Sequence, residues 1–145
     1  MKNNLLNIFG LGKKSFSASL ASALSVPLYL FFHFLTKYTF ELNIIAFILV
    51  AVISGIQLRQ NKSYAIQDPK EIIIDEFLGM YIILIIVNQQ SILKQFLLLI
   101  SFRIIDILKP FPFNWIEQKC NNEFGLLIDD IAIGIFIASV YVLLF

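Results

Sequence analysis

The stretch Asp68-Pro69-Lys70-Glu71-Ile72-Ile73-Ile74-Asp75-Glu76-Phe77-Leu78-Gly79-Met80 leads into an unbroken apolar run from Phe77 to Val87. Four acids stand before that run, and two of them, Asp75 and Glu76, have apolar residues on both sides. A carboxylate inside an inserting helix costs roughly 2.5–3.5 kcal/mol on insertion scales. Two adjacent ones in such a setting are expected to have a cationic partner. The rest of the chain is read for what it brings to them.

The composition sets the class. Of 145 residues, 59% are hydrophobic and 14% charged, against about 25% charged in ordinary soluble domains. This is the composition of an integral membrane protein, read as a single domain over residues 1–145. A net charge of +1 gives no basic surface for nucleic acid. Single copies of cysteine (Cys120) and histidine (His33) exclude an internal disulfide framework, a cysteine-rich metal site and a two-histidine zinc motif. No short apolar segment with a cleavage site precedes the first long apolar run, so a signal peptide is not expected.

Five apolar segments follow one another: 18–35, 42–58, 72–87, 91–108 and 128–145. Most have the length a crossing helix needs, about 17–25 residues. The fold expected is therefore an all-α, polytopic membrane bundle of about five spans. Pro110 and Pro112 stop the fourth segment, and Phe111, Phe113 and Trp115 after it suit the headgroup level. With the N-terminus in the cytoplasm, Lys2, Lys13, Lys14, Arg59, Lys62, Lys70, Arg103, Lys109 and Lys119 fall on the cytoplasmic side. Only Lys37 and Lys94 fall outside, a positive-inside bias.

The start of the third segment, the end of the fourth and the start of the fifth come to the same membrane face. Asp68, Glu71, Asp75, Glu76, Asp106, Asp129 and Asp130 then gather there with Lys70, Arg103 and Lys109. On helices, Glu71, Asp75 and Gly79 share a face, as do Asp130, Gly134 and Ala138, and small residues beside an acid let another helix approach. Carboxylates from three helices repel unless a cation lies between them, and hard oxygen ligands favour magnesium or manganese over zinc. Lysine and arginine beside such an ion suit a phosphate ester. The reaction class these residues point to is metal-assisted phosphoryl chemistry at a membrane surface. Cys120 is not followed by a phosphate-binding loop, and His33 stands alone, so cysteine- and histidine-based phosphatase chemistry is excluded.

Three blocks in order resemble the phosphatidylglycerophosphatase A family. Asp68-Pro69 through Asp75-Glu76-Phe77-Leu78-Gly79 is similar to its D-P-x5-D-E-x-x-G. Phe102-Arg103 through Asp106, Lys109-Pro110 and Pro112 is similar to its F-R-x-x-D-x-x-K-P-x-P. Gly125 through Asp129-Asp130, with Gly134, is similar to its G-I-M-x-D-D-x-x-x-G. Where the family has P-G-T-x-G-S near the first span, this chain reads Ser17-Ala18-Ser19-Leu20-Ala21-Ser22.

The resemblance implies a magnesium-dependent lipid phosphatase in a bacterial cytoplasmic (inner) membrane, multi-pass, with its N-terminus and active site cytoplasmic. Its substrate would be phosphatidylglycerophosphate, presented by the lipid bilayer. On the matching positions, Asp75, Glu76 and Asp130 would be catalytic. The ion (Mg2+) would be held by these three with Asp106 and Asp129, and phosphate by Lys70, Arg103 and Lys109. The alternative is a membrane transport protein that binds a cation or protons with the same acids. Their concentration at one face speaks against that reading, because a conduction path needs polar groups at mid-depth and beyond.

Overall fold

The computed structural model describes residues 8, 17–35, 38–60, 72–88, 91–115 and 125–144. Five long helices account for most of them: α1 (Ser17–Leu35), α2 (Thr39–Gln60), α3 (Ile74–Val87), α4 (Ile92–Leu108) and α5 (Gly125–Leu144). No strand occurs among the described residues. The all-α expectation holds.

By length and apolarity, α1, α2 and the 127–144 part of α5 suffice to cross a membrane. The other two helices are shorter, 14 residues for α3 and 17 for α4. At 1.5 Å per residue α3 is roughly 21 Å long, less than a hydrocarbon core of about 30 Å. Most of its side chains are buried in the bundle. Ile74, Phe77, Leu78, Met80, Tyr81, Ile83, Leu84 and Ile85 are all buried, and these positions run right round the helix. A helix that is apolar on every face belongs in an interior. The other four pack around it, and their outward faces carry Phe34, Ile107 and Leu143, the last 84% exposed. Apolar surface of that extent is what a lipid-facing bundle presents.

Contacts along α3 fix the helix directions. Gly79 of α3 meets Gly134 of α5, and one turn earlier Asp75 comes together with Asp130, so α3 and α5 run the same way. Phe102 of α4 lies against Gly79, while Lys109, further on, reaches Asp129 at the start of α5; α4 therefore runs the opposite way. Tyr29, late in α1, donates to Asn88 Oδ1 at the end of α3 (2.8 Å), which sets α1 alongside α3 in the same sense. Asn43, early in α2, accepts from the Tyr81 hydroxyl (2.7 Å), and Arg59 at the other end of α2 borders the same groove as Leu127. The helices thus alternate up and down in chain order. The starts of α3 and α5 and the end of α4 come to one end of the bundle, where the sequence threading puts them.

Two of these contacts are polar bonds inside an apolar bundle. Both Asn43 and Tyr81 are fully buried, and an interhelical bond of this kind contributes about 0.6 kcal/mol on average and up to about 1.7 kcal/mol in a membrane protein. Ser22, Ser25 and Ser54 instead donate back to carbonyls of their own helices, at 3.0, 2.6 and 2.7 Å. Their hydroxyls are thereby satisfied without a partner helix. In α1, Ser17 to Ser22 is already helical, so this stretch forms the first turns of a helix where the resembling family has a Pro-Gly motif.

Candidate functional site

The acidic end of the bundle is built on the close approach of α3 and α5. A Cβ placed on Gly134 would collide with the Gly79 carbonyl oxygen, and one on Gly79 would stand 2.6 Å from the Phe102 ring and 2.8 Å from the Asp130 carbonyl oxygen. Only glycine at both positions lets the two backbones meet this closely. Asp75 lies one turn before Gly79 and Asp130 one turn before Gly134, so the crossing brings their carboxylates together.

Asp75, Glu76 and Asp130 each present a carboxylate oxygen within 4.8 Å of the others. Asp129 and Asp130 are buried, at 4% and 3% exposure, and Asp75 and Glu76 are half-buried. The backbone helps to orient two of the acids. The Glu76 N–H donates to Asp75 Oδ1 (3.1 Å), and the Asp130 N–H donates to Asp129 Oδ1 (3.0 Å). Glu76 Oε2, in contrast, is buried and has no hydrogen-bond partner among the described residues.

Two bases border the cluster, each joined to an acid. Arg103 Nη1 donates to Asp106 Oδ2 at 2.7 Å within α4. Lys109 Nζ donates to Asp129 Oδ2 at 2.8 Å, from the end of α4 to the start of α5. Lys109 caps α4 in the left-handed region, with φ 37° and ψ 59°, and its N–H closes the helix on the Ile105 carbonyl (2.8 Å). Its side chain leaves the helix at this reversal and bridges to α5. We expect Lys109→Met to lower stability by roughly 3–5 kcal/mol, the usual loss when one partner of a buried ion pair is removed. Adding Asp129→Asn should recover most of that loss in thermal unfolding; two losses that simply add would show that the pair is not coupled.

The expected site residues therefore divide. Asp75, Glu76 and Asp130 converge, whereas Asp106 and Asp129 sit beside them with a base each. Arg103 and Lys109, expected to hold phosphate, are at the site and bound to those two acids. Lys70, with Asp68 and Glu71, lies outside the described residues. Sequence reasoning missed the polar pairs Tyr81–Asn43 and Tyr29–Asn88. An asparagine inside an apolar segment, Asn43, was the available signal for the first.

The donor set fits a hard divalent cation. All the ligand atoms are carboxylate oxygens, they come from two helices, and one buried oxygen has no partner among the described residues. Two unit charges 4 Å apart repel by about 4 kcal/mol at an effective dielectric constant of about 20. Such repulsion is relieved by a cation or by a shared proton, and the two nearby bases face Asp106 and Asp129.

The family described as Phosphatidylglycerophosphatase A matches residues 4–145. Phosphatidylglycerophosphatase A of Haemophilus influenzae is 40% identical over 74 residues, 49% of this chain and 44% of that protein. Phosphatidylglycerophosphatase A of Escherichia coli is 33% identical over 82 residues, 54% of this chain and 46% of that protein. The chain thus aligns with about half the length of these relatives. No solved structure matches it.

Proposed function

Since the chain belongs to the phosphatidylglycerophosphatase A family, we propose that it hydrolyses phosphatidylglycerophosphate to phosphatidylglycerol and inorganic phosphate, with magnesium as its cofactor. The observation that carries this reading is the grouping of Asp75, Glu76 and Asp130 within 4.8 Å, flanked by Arg103 and Lys109. The cation would be held by Asp75, Glu76 and Asp130, with Asp106 and Asp129 next to them. When bound, it supplies charge neutralisation for the phosphate and a lowered pKa for an attacking water.

The remaining work falls to the chain's own side chains. Arg103 and Lys109 bind the phosphate monoester by exchanging a carboxylate oxygen for a phosphate oxygen, a swap between charge-assisted bonds of similar kind. Lys70 adds a third positive charge from the segment before α3. Water adds to phosphorus as the bond to the glycerol oxygen breaks. A carboxylate of the site takes the water proton and passes it to the glycerol oxygen, which leaves as the alcohol. The carboxylates of Asp106 and Asp129 hold both bases at the site before substrate arrives, which lowers the cost of ordering them.

The topology belongs to the same proposal: five helices thread a bacterial inner membrane, with the N-terminus and the acidic end in the cytoplasm. The alternating helix directions and the cytoplasmic lysine and arginine excess support it. A reporter domain fused after Phe145 should read as extracytoplasmic; a cytoplasmic signal would overturn the threading. For the activity, the protein purified in detergent should release phosphate from phosphatidylglycerophosphate micelles. A protein that binds this lipid without releasing phosphate would count against the reading.

A further inference from the structure

A groove of about 360 Å³ runs between α2 and α5, lined by Ala51, Val52, Gly55, Ile56, Arg59 and Leu127. Among the described residues that line it, every one but Arg59 lacks a polar side chain. Ala51, Gly55 and Arg59 are spaced i, i+4, i+8, and Val52 and Ile56 i, i+4. The groove therefore follows the axis of α2 for about two turns, roughly 12 Å. Val52 and Ile56 are more than half exposed, so one wall opens on the side the bundle gives to lipid. The other end has a different character. Arg59 stands in the last turn of α2, and Leu127 lies three residues before Asp130. Residues three apart on a helix are surface neighbours, about 5–6 Å between Cβ atoms. The groove thus leads from the apolar depth of the bundle to the threshold of the carboxylate cluster.

We infer that this groove between α2 and α5 seats one acyl chain of the lipid phosphate substrate, with the Arg59 guanidinium beside its anionic head. The inference rests on the lipid phosphatase reading above. Three features select this occupant. The groove is apolar along its length and cationic at one end, the polarity of a single-tailed segment below an anionic head. Its cationic end is the end that holds the reacting site. Its open wall lets a chain enter sideways from the bilayer, so the lipid need not leave the membrane to be hydrolysed. Arg59 adds a charge to the phosphate-facing set from a helix that contributes no acid to the cluster.

The test uses two narrowing variants, Gly55→Leu and Val52→Trp, assayed on dioleoyl and dibutyryl forms of phosphatidylglycerophosphate. Both variants should raise KM for the dioleoyl form by about tenfold, the scale of a blocked apolar pocket, with kcat kept and the dibutyryl KM unchanged. An unchanged dioleoyl KM in both variants, or equal rises for both substrates, would overturn the inference. A second readout is independent of turnover. A dioleoyl lipid phosphate carrying a photoreactive diazirine on one chain should label the 51–59 segment of the wild-type protein, and Gly55→Leu should abolish that labelling. Labelling elsewhere only would refute the groove. Labelling of this segment in a protein that releases no phosphate would keep the lipid seat and refute the phosphatase reading.

Discussion

Asp130→Asn should remove turnover while leaving insertion and folding intact. Asparagine keeps the size of the side chain and one carbonyl oxygen, so packing of α5 against α3 is preserved. What it loses is one of three carboxylates that meet within 4.8 Å. Substituting a residue that only supports a metal ligand typically costs about 10–100-fold in metal affinity or activity; loss of a ligand itself should exceed that, so phosphate release should fall by more than about 100-fold. Asp75→Asn should behave in the same way. Thermal unfolding adds a readout with a definite sign. Without a divalent ion, Asp130→Asn should be at least as stable as the wild type, because mutual repulsion of the carboxylates is relieved. With magnesium added, only the wild type should gain stability, as expected for a ligand that binds the folded state alone. Near-normal activity in either variant would show that the carboxylate cluster is not the reacting site.

Gly134→Val should be the most disruptive substitution in the hydrophobic part of the bundle. A Cβ at this position collides with the Gly79 carbonyl oxygen and comes within 2.6 Å of Ile82 Cγ2. The nearest obstacle is backbone, so rotating a side chain does not relieve it, and α5 must move away from α3. Overpacking of this kind usually costs about 1–3 kcal/mol, occasionally more. Because Asp75 and Asp130 meet one turn from this crossing, separating the helices also separates the carboxylates. Activity should then fall together with thermal stability, and neither should be restored by Gly79→Ala, which adds a second obstruction on the facing helix. A fully active, fully stable Gly134→Val protein would mean that the α3–α5 approach is not what assembles the site.

Much of this arrangement is legible in the sequence, for reasons that differ by feature. The long apolar runs announce helices in a bilayer because their length and composition leave few other solutions. The gathering of Asp75, Glu76, Asp106, Asp129 and Asp130 at one end follows from counting helices, since each turn of the chain reverses direction. Gly79 and Gly134 stand out because each lies one turn beyond an acid. The central position of α3 is harder to read. An apolar run that faces lipid and one that faces other helices have the same composition, and only the packing distinguishes Met80, fully buried, from Leu143, largely exposed. Nor does spacing decide which acids meet one another and which meet a base. Lys109 reaches Asp129 because the chain reverses in a left-handed residue at the end of α4, a backbone choice that a lysine before proline does not advertise. The bonds from Tyr81 to Asn43 and from Tyr29 to Asn88 join residues 38 and 59 positions apart, and only the folded bundle brings these partners together.

In the proposed reaction the carboxylates of α3 and α5, with a divalent ion, hydrolyse a membrane-borne phosphate monoester. The most direct measurement is phosphate release from phosphatidylglycerophosphate micelles by the purified wild-type protein, first with a chelator and then with excess magnesium. Release should cease with chelator and recover fully and reversibly on adding magnesium. Release that proceeds undiminished in chelator, or none under either condition from a folded protein, would contradict that reaction.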